Sequence, residues 1–112
     1  MPSLSVIALG GNALIDPNLP PTVENQVKVA ERAMKPVADL IERGEKVVIV
    51  HGNGPQVGFM ALRSEISKDK LHEVPLDALV ANTQGSMGYM IQRALREELY
   101  RRRLLLEVVA LV

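Results

Sequence analysis

Two short apolar runs each break off on glycines. VIAL, Val6 to Leu9, runs into Gly10, Gly11 and Asn12, and VVIV, Val47 to Val50, runs into HGNGP, His51 to Pro55. A continuous apolar run bounded by turn residues has the form of a parallel-sheet strand covered on both faces. Glycine is a poor residue inside strands and helices alike, so glycines at a strand's end mark a turn or the close approach of another group. Two such junctions with helical sequence between them predict strand, crossover helix and parallel strand, which restricts the chain to an α/β architecture with right-handed connections.

The rest of the chain follows that order. Asp16 to Thr22 holds three prolines and must be loop. From about Val23 to Arg43 the apolar residues Val27, Ala30, Met34, Val37 and Ile41 recur at helical spacing, Thr22 stands at the cap position and Gly44 follows as a stop. Pro36 inside this helix removes a backbone donor and should kink it. Lys46 to Val50 is the second strand, a helix begins at Pro55 or Gln56 and ends at Ile66, and Ser67 to Pro75 is a polar loop. Leu76 to Arg103 is helical in composition, interrupted by Gly85 and Gly88, which either break the helix or admit another backbone; between subunits they would form a close-packing surface. LLLEVVALV, Leu104 to Val112, has the β-branched composition of a third buried strand, and its position at the end of the sequence suggests the front part of a longer protein.

With 112 residues, 47% of them hydrophobic, the chain is sized for one globular domain. Thirteen basic and thirteen acidic residues balance, which removes the electrostatic case for nucleic acid or an anionic membrane as partner. There is no cysteine, so thiol catalysis and Cys-ligated zinc are excluded. No apolar segment reaches the ~18 residues a membrane span requires, and no signal peptide opens the sequence, so a cytoplasmic location is expected.

In an open parallel sheet, ligands bind beyond the carboxyl ends of the strands. Glycines there let backbone N–H groups approach an oxyanion, and the N-terminus of the next helix adds a favourable dipole. Asn12 and Asn53 add neutral amides that can donate to an oxygen. Gly10, Gly11 and Asn12 together with Gly52, Asn53 and Gly54 are therefore the candidate anion site, although one Gly-Gly pair alone would be read as a turn. Neither loop is a dinucleotide fingerprint or a P-loop. His51 reads as a histidine bonded to backbone, His72 as solvated, Asp77 as a cap of the last helix and Met87, Tyr89 and Met90 as core or subunit contact. Arg101, Arg102 and Arg103 read as a solvated helix end. No metal-ligand cluster is visible.

VIALGGNAL, TVENQ, VVIVHGNGPQVG, VPLD and TQGSMGYMIQRAL, in this order and spacing, resemble carbamate kinases, a branch of the amino acid kinase family. The resemblance runs from about Val6 to Val112. It implies an αβα sandwich with a mainly parallel sheet, represented by its N-terminal part, and reversible phosphoryl transfer between ATP and carbamate, giving ADP and carbamoyl phosphate in arginine or nitrogen catabolism. It implies that Gly10, Gly11 and Asn12 line the phosphoryl and carbamate site as catalytic residues and that Gly52, Asn53 and Gly54 complete it as substrate-binding residues. ATP or ADP with Mg²⁺ is implied for the complete enzyme, held by a C-terminal part outside residues 1–112, and so is a homodimer.

Many amino acid kinases carry a lysine two residues before the first glycine, where this chain has Ala8; that agrees with the carbamate kinase branch, whose catalytic lysines come later. None of Lys28, Lys35, Lys46, Lys68 and Lys70 lies on a glycine loop. The expectation is little or no kinase activity from these 112 residues alone. The competing reading is a non-catalytic fragment that binds anions weakly or self-associates.

Overall fold

The computed structural model describes residues 3–112. In chain order it contains strand β1 (Leu4–Leu9), a 3-10 turn (Gly11–Leu14), helix α1 (Val23–Glu42), strand β2 (Lys46–His51), helix α2 (Gly54–Ser67) and helix α3 (Leu76–Arg101). β1 and β2 pair in parallel, with Val6 beside Val48, Ala8 beside Val50 and Leu9 beside His51. The predicted α/β class with a parallel sheet is what the chain adopts.

Local chemistry explains the helix limits. The Thr22 hydroxyl accepts from the Asn25 N–H at 3.2 Å, capping α1. Gly44, at φ +94°, stops it, and the N–H groups of Gly44 and Glu45 bond back to Ile41 and Leu40. α1 continues through Pro36, whose ring lies on the exposed side, so the lost bond leaves a carbonyl that water can reach. α3 runs unbroken through Gly85 and Gly88. Asp77 lies in its first turn while Pro75 holds the cap position, so Asp77 favours the helix dipole and is not the cap.

α1 and α3 pack together on one face of the sheet. Ala30, Met34, Val37 and Ala38 meet Met87, Met90, Ile91, Ala94, Leu95 and Leu99, with Ile7, Leu9, Val47 and Ile49 supplied by the strands. The alternate strand residues face away, and Val6, Val48 and Val50 are 65%, 46% and 48% exposed. The expectation of strands covered on both faces is thus met on one face by the described residues: they supply the sheet and one helical layer.

Residues 104–112 do not form the predicted third strand. The segment lies along α3 instead. Gln92 Nε2 donates to the Val108 carbonyl at 2.7 Å, a Cβ at Gly88 would stand 3.5 Å from Ala110, and one at Gly85 would stand 4.0 Å from Val112. A strand needs a neighbour in register, and among the described residues no backbone hydrogen bond joins this segment to β2. The two glycines of α3 therefore admit the chain's own end. Arg102 is likewise not a solvated cation. Its guanidinium bonds to Asp39 (2.6 Å) and Glu42 (3.0 Å) of α1 and to Glu98 (3.1 Å) of α3, and these hydrogen bonds, that to Asp39 first, raise its pKa above the ordinary arginine value.

Candidate functional site at the strand ends

The register fixes the two glycine loops side by side. Leu9 and His51 are partners, and the Gly52 N–H donates to the Leu9 carbonyl at 3.0 Å, so both chains leave the sheet together at its carboxyl edge. After β1 the chain passes Gly10 into the 3-10 turn, which closes through Ala13 N–H to Gly10 O at 2.9 Å. Sequence reasoning missed this turn. Leu14, 1% exposed, anchors it in the core and leaves Asn12 on the surface.

Gly10 has φ −71° and ψ 160°, a conformation open to any residue, and a Cβ there would meet no atom within 4 Å. Gly54, the first residue of α2, also has empty space at its Cβ position. Neither glycine is therefore required by the backbone or by its neighbours in this chain. Gly10 is therefore not there to supply a positive φ. What both leave is clearance over the backbone, the condition for an outside group to approach its N–H donors.

After β2, Asn53 occupies the N-cap position of α2 without capping it through its side chain. Its Nδ2 donates instead to the Thr83 hydroxyl at 2.7 Å and the Val80 carbonyl at 3.1 Å. Both amide hydrogens are thus committed to α3, and Asn53 holds the start of α2 in place instead of offering a donor to a ligand. Thr83, 2% exposed, shares its own proton between Leu79 O at 2.8 Å and Val80 O at 3.1 Å. No local signal marked this residue; a β-branched polar residue in the middle of a long helix was the only hint. α2 keeps an N-terminus with no side-chain cap, and Pro55 sits in its first turn where its missing N–H is harmless. Asn53→Ala is expected to destabilise the fold by about 1–2 kcal/mol, because it strips Val80 and Thr83 of a partner. Asn12→Ala, at the surface, should stay within about 0.5 kcal/mol, and urea denaturation of the two variants compares them directly.

His51 turns Nδ1 to the Gly52 carbonyl at 3.1 Å, the backbone-bonded role predicted for it. His72 is exposed. Met87 and Met90 are core, whereas Tyr89 is 60% exposed. The lysines lie elsewhere: Lys28 pairs with Glu24, Lys68 with Glu65, Lys35 is in α1, Lys46 opens β2 at the opposite end of the strands and Lys70 follows α2. Among the described residues no group of three His, Asp or Glu could hold a metal ion. The donor set at the strand ends is backbone N–H, which suits an anion and not a cation, so these loops do not fit Mg²⁺. No helix among the described residues is long and apolar enough to cross a membrane.

Known proteins resemble this chain in sequence and in overall fold. Residues 3–109 match the amino acid kinase family. Carbamate kinase 2 of Enterococcus faecalis is 44% identical over 98% of the chain, and the carbamate kinase of Pyrococcus horikoshii is 44% identical over all of it. The chain spans 35% and 36% of the lengths of these two relatives. Among solved structures, a Giardia carbamate kinase superposes with a TM-score of 0.88 at 32% identity, covering 96% of this chain and 36% of that one. The Giardia lamblia enzyme bound to AMP-PNP superposes with a TM-score of 0.86 at 33% identity, over 91% of this chain and 36% of that one.

Proposed function

Because the chain belongs to the amino acid kinase family and matches carbamate kinases over about a third of their length, we propose that it supplies the carbamate and phosphoryl side of a carbamate kinase. The reaction is reversible phosphoryl transfer between ATP and carbamate, giving ADP and carbamoyl phosphate. The observation that supports it most is the pair of adjoining strand ends, with clearance at Gly10 and Gly54 and the uncapped start of α2.

Phosphoryl transfer asks a protein mainly to hold the reactants in line and to surround the equatorial oxygens with preorganised donors. Backbone N–H groups of Gly10, Gly11 and Asn12 on one loop, and of Asn53 and Gly54 on the other, meet that demand without bringing a side chain into the reaction path, while the Gly52 N–H, committed to the Leu9 carbonyl, ties the two loops together and is not a donor to substrate. The loops are held before substrate arrives: Leu14 fixes the first through the core, and Asn53 fixes the second through Thr83. Nucleotide, Mg²⁺ and the cationic side chains that would neutralise the moving phosphate belong, in this reading, to the other two thirds of a full-length chain. A cytoplasmic, arginine-catabolic role and a homodimeric complete enzyme go with the same assignment.

The test is a hybrid in which residues 3–109 replace the matching third of the Enterococcus faecalis relative. ATP formation from ADP and carbamoyl phosphate by the hybrid, and none by the 112-residue chain, is the expected pair of results. A folded hybrid that binds nucleotide but does not turn over would defeat the proposal. A non-catalytic role for the chain by itself is favoured by one observation, the exposed apolar face at Val6, Val48 and Val50, which invites self-association.

A further inference from the structure

α2 is held differently from the other two helices. α1 and α3 bury apolar stripes, whereas the one buried side chain among the 14 residues of α2 is Gln56, 5% exposed. Its Nε2 donates to Oε1 of Gln26, also 5% exposed, at 3.2 Å, from one helix to another. Gln26 lies near the start of α1, and its own Nε2 donates to the Pro21 carbonyl at 2.9 Å. A line of side-chain amides thus runs from the proline loop before α1, through Gln26, to the first turn of α2.

Packing alone does not call for this arrangement. Burying an amide costs free energy that its hydrogen bond only offsets, and an apolar pair of the same shape serves stability as well or better. What a bonded amide pair adds is direction, because it accepts one orientation of the two helices where methyl groups would accept several. The first turn of α2 carries the Gly54 N–H, next to that of Asn53, and these are the donors assigned above to the anion. Asn53 fastens this turn to Thr83 and Val80 of α3, which is one anchor, and about one anchor a helix can still roll. Gln56, three residues further on, supplies a second anchor to a different helix and removes most of that freedom. We infer that Gln26 is a positioning residue of the anion site: acting through Gln56, it sets the direction in which the Asn53 and Gly54 N–H groups face, without itself touching substrate. The identity of the anion rests on the proposed function; the orienting role of the amide pair does not.

The double variant Gln26→Met/Gln56→Met separates direction from packing, since it exchanges the amide pair for an apolar pair of similar shape. In the 112-residue chain its urea midpoint is expected to stay near that of the unaltered protein. Residual dipolar couplings, which report the direction of each N–H, should fit the frame set by β1, β2 and α1 for Asn53 and Gly54 in the unaltered chain and depart from it in the variant. In the hybrid with the Enterococcus faecalis remainder, kcat should fall by about ten- to a hundredfold with the KM for ADP unchanged, the split produced by misaligned donors. Couplings of Asn53 and Gly54 that still fit the frame in the folded variant would overturn the inference, and so would a variant hybrid that keeps the unaltered hybrid's kcat. An unaltered hybrid without turnover tells against the proposed function alone, and the couplings still decide the role of Gln26. Where the Met pair does not fold, Gln26→Asn, which keeps the amide and shortens its reach by one methylene, is read by the same two measurements.

Discussion

Gly10→Val, placed in the full-length hybrid, is expected to lower kcat by about 10²–10³-fold while leaving the stability of the 112-residue chain unchanged within about 0.5 kcal/mol. The two halves of this expectation come from one observation. Gly10 has ordinary extended dihedrals and open space where its Cβ would be, so nothing in the fold resists a side chain there. If the space is reserved for the phosphoryl group, a branched side chain occupies it and screens the donors beneath. Removing one donor of this kind costs about 3 kcal/mol of barrier, and blocking the approach should cost no less. Steady-state rates with carbamoyl phosphate and ADP, paired with urea denaturation of the isolated variant, check both. Full turnover would remove Gly10 from the site; a destabilised chain would mean that its clearance serves packing.

Leu99→Ala is expected to have the largest effect on folding, about 3 kcal/mol. Leu99 is 1% exposed, belongs to the core shared by α1 and α3, and its carbonyl accepts the backbone N–H of Leu104, where the chain leaves the helix. Deleting its branch opens a cavity between two packed helices, which cannot close by moving one side chain. For a domain whose total stability is of order 5–15 kcal/mol the loss is a large share. Leu105→Ala is the matched control: Leu105 is 84% exposed, and its truncation should fall within about 0.5 kcal/mol. Equal midpoints in urea for the two variants would contradict the assignment of Leu99 to the core.

The elements legible in the sequence were those specified by neighbours in the chain. The Thr22 cap, the Gly44 stop, the apolar stripe of α1 and both strand-to-glycine junctions are local patterns, and they appear where the periodicity put them. The candidate loops are adjacent because the strands preceding them are paired, which the alternation of elements also implied. What was not legible depends on partners far along the chain. Asn53 reaches Thr83 thirty residues away, and Arg102 reaches Asp39 across sixty-three. No local pattern distinguishes an amide that will donate to a ligand from one that will donate to a helix. Leu104 to Val112 has strand composition without strand structure because β propensity reports fit to a pleated surface, and among the described residues no strand edge lies in register with it.

The molecule is fastened at its two ends by different chemistry. Where α1 and α3 finish, away from the glycine loops, Arg102 gathers three carboxylates from two helices. Where α2 starts, Asn53 and Thr83 make the join with neutral groups. Dissolved salt screens the first and barely touches the second. Ionic strength therefore acts unevenly on this architecture: it loosens the ion-clasped end of the helical pair and leaves the amide-clasped end, with the loops it carries, in register.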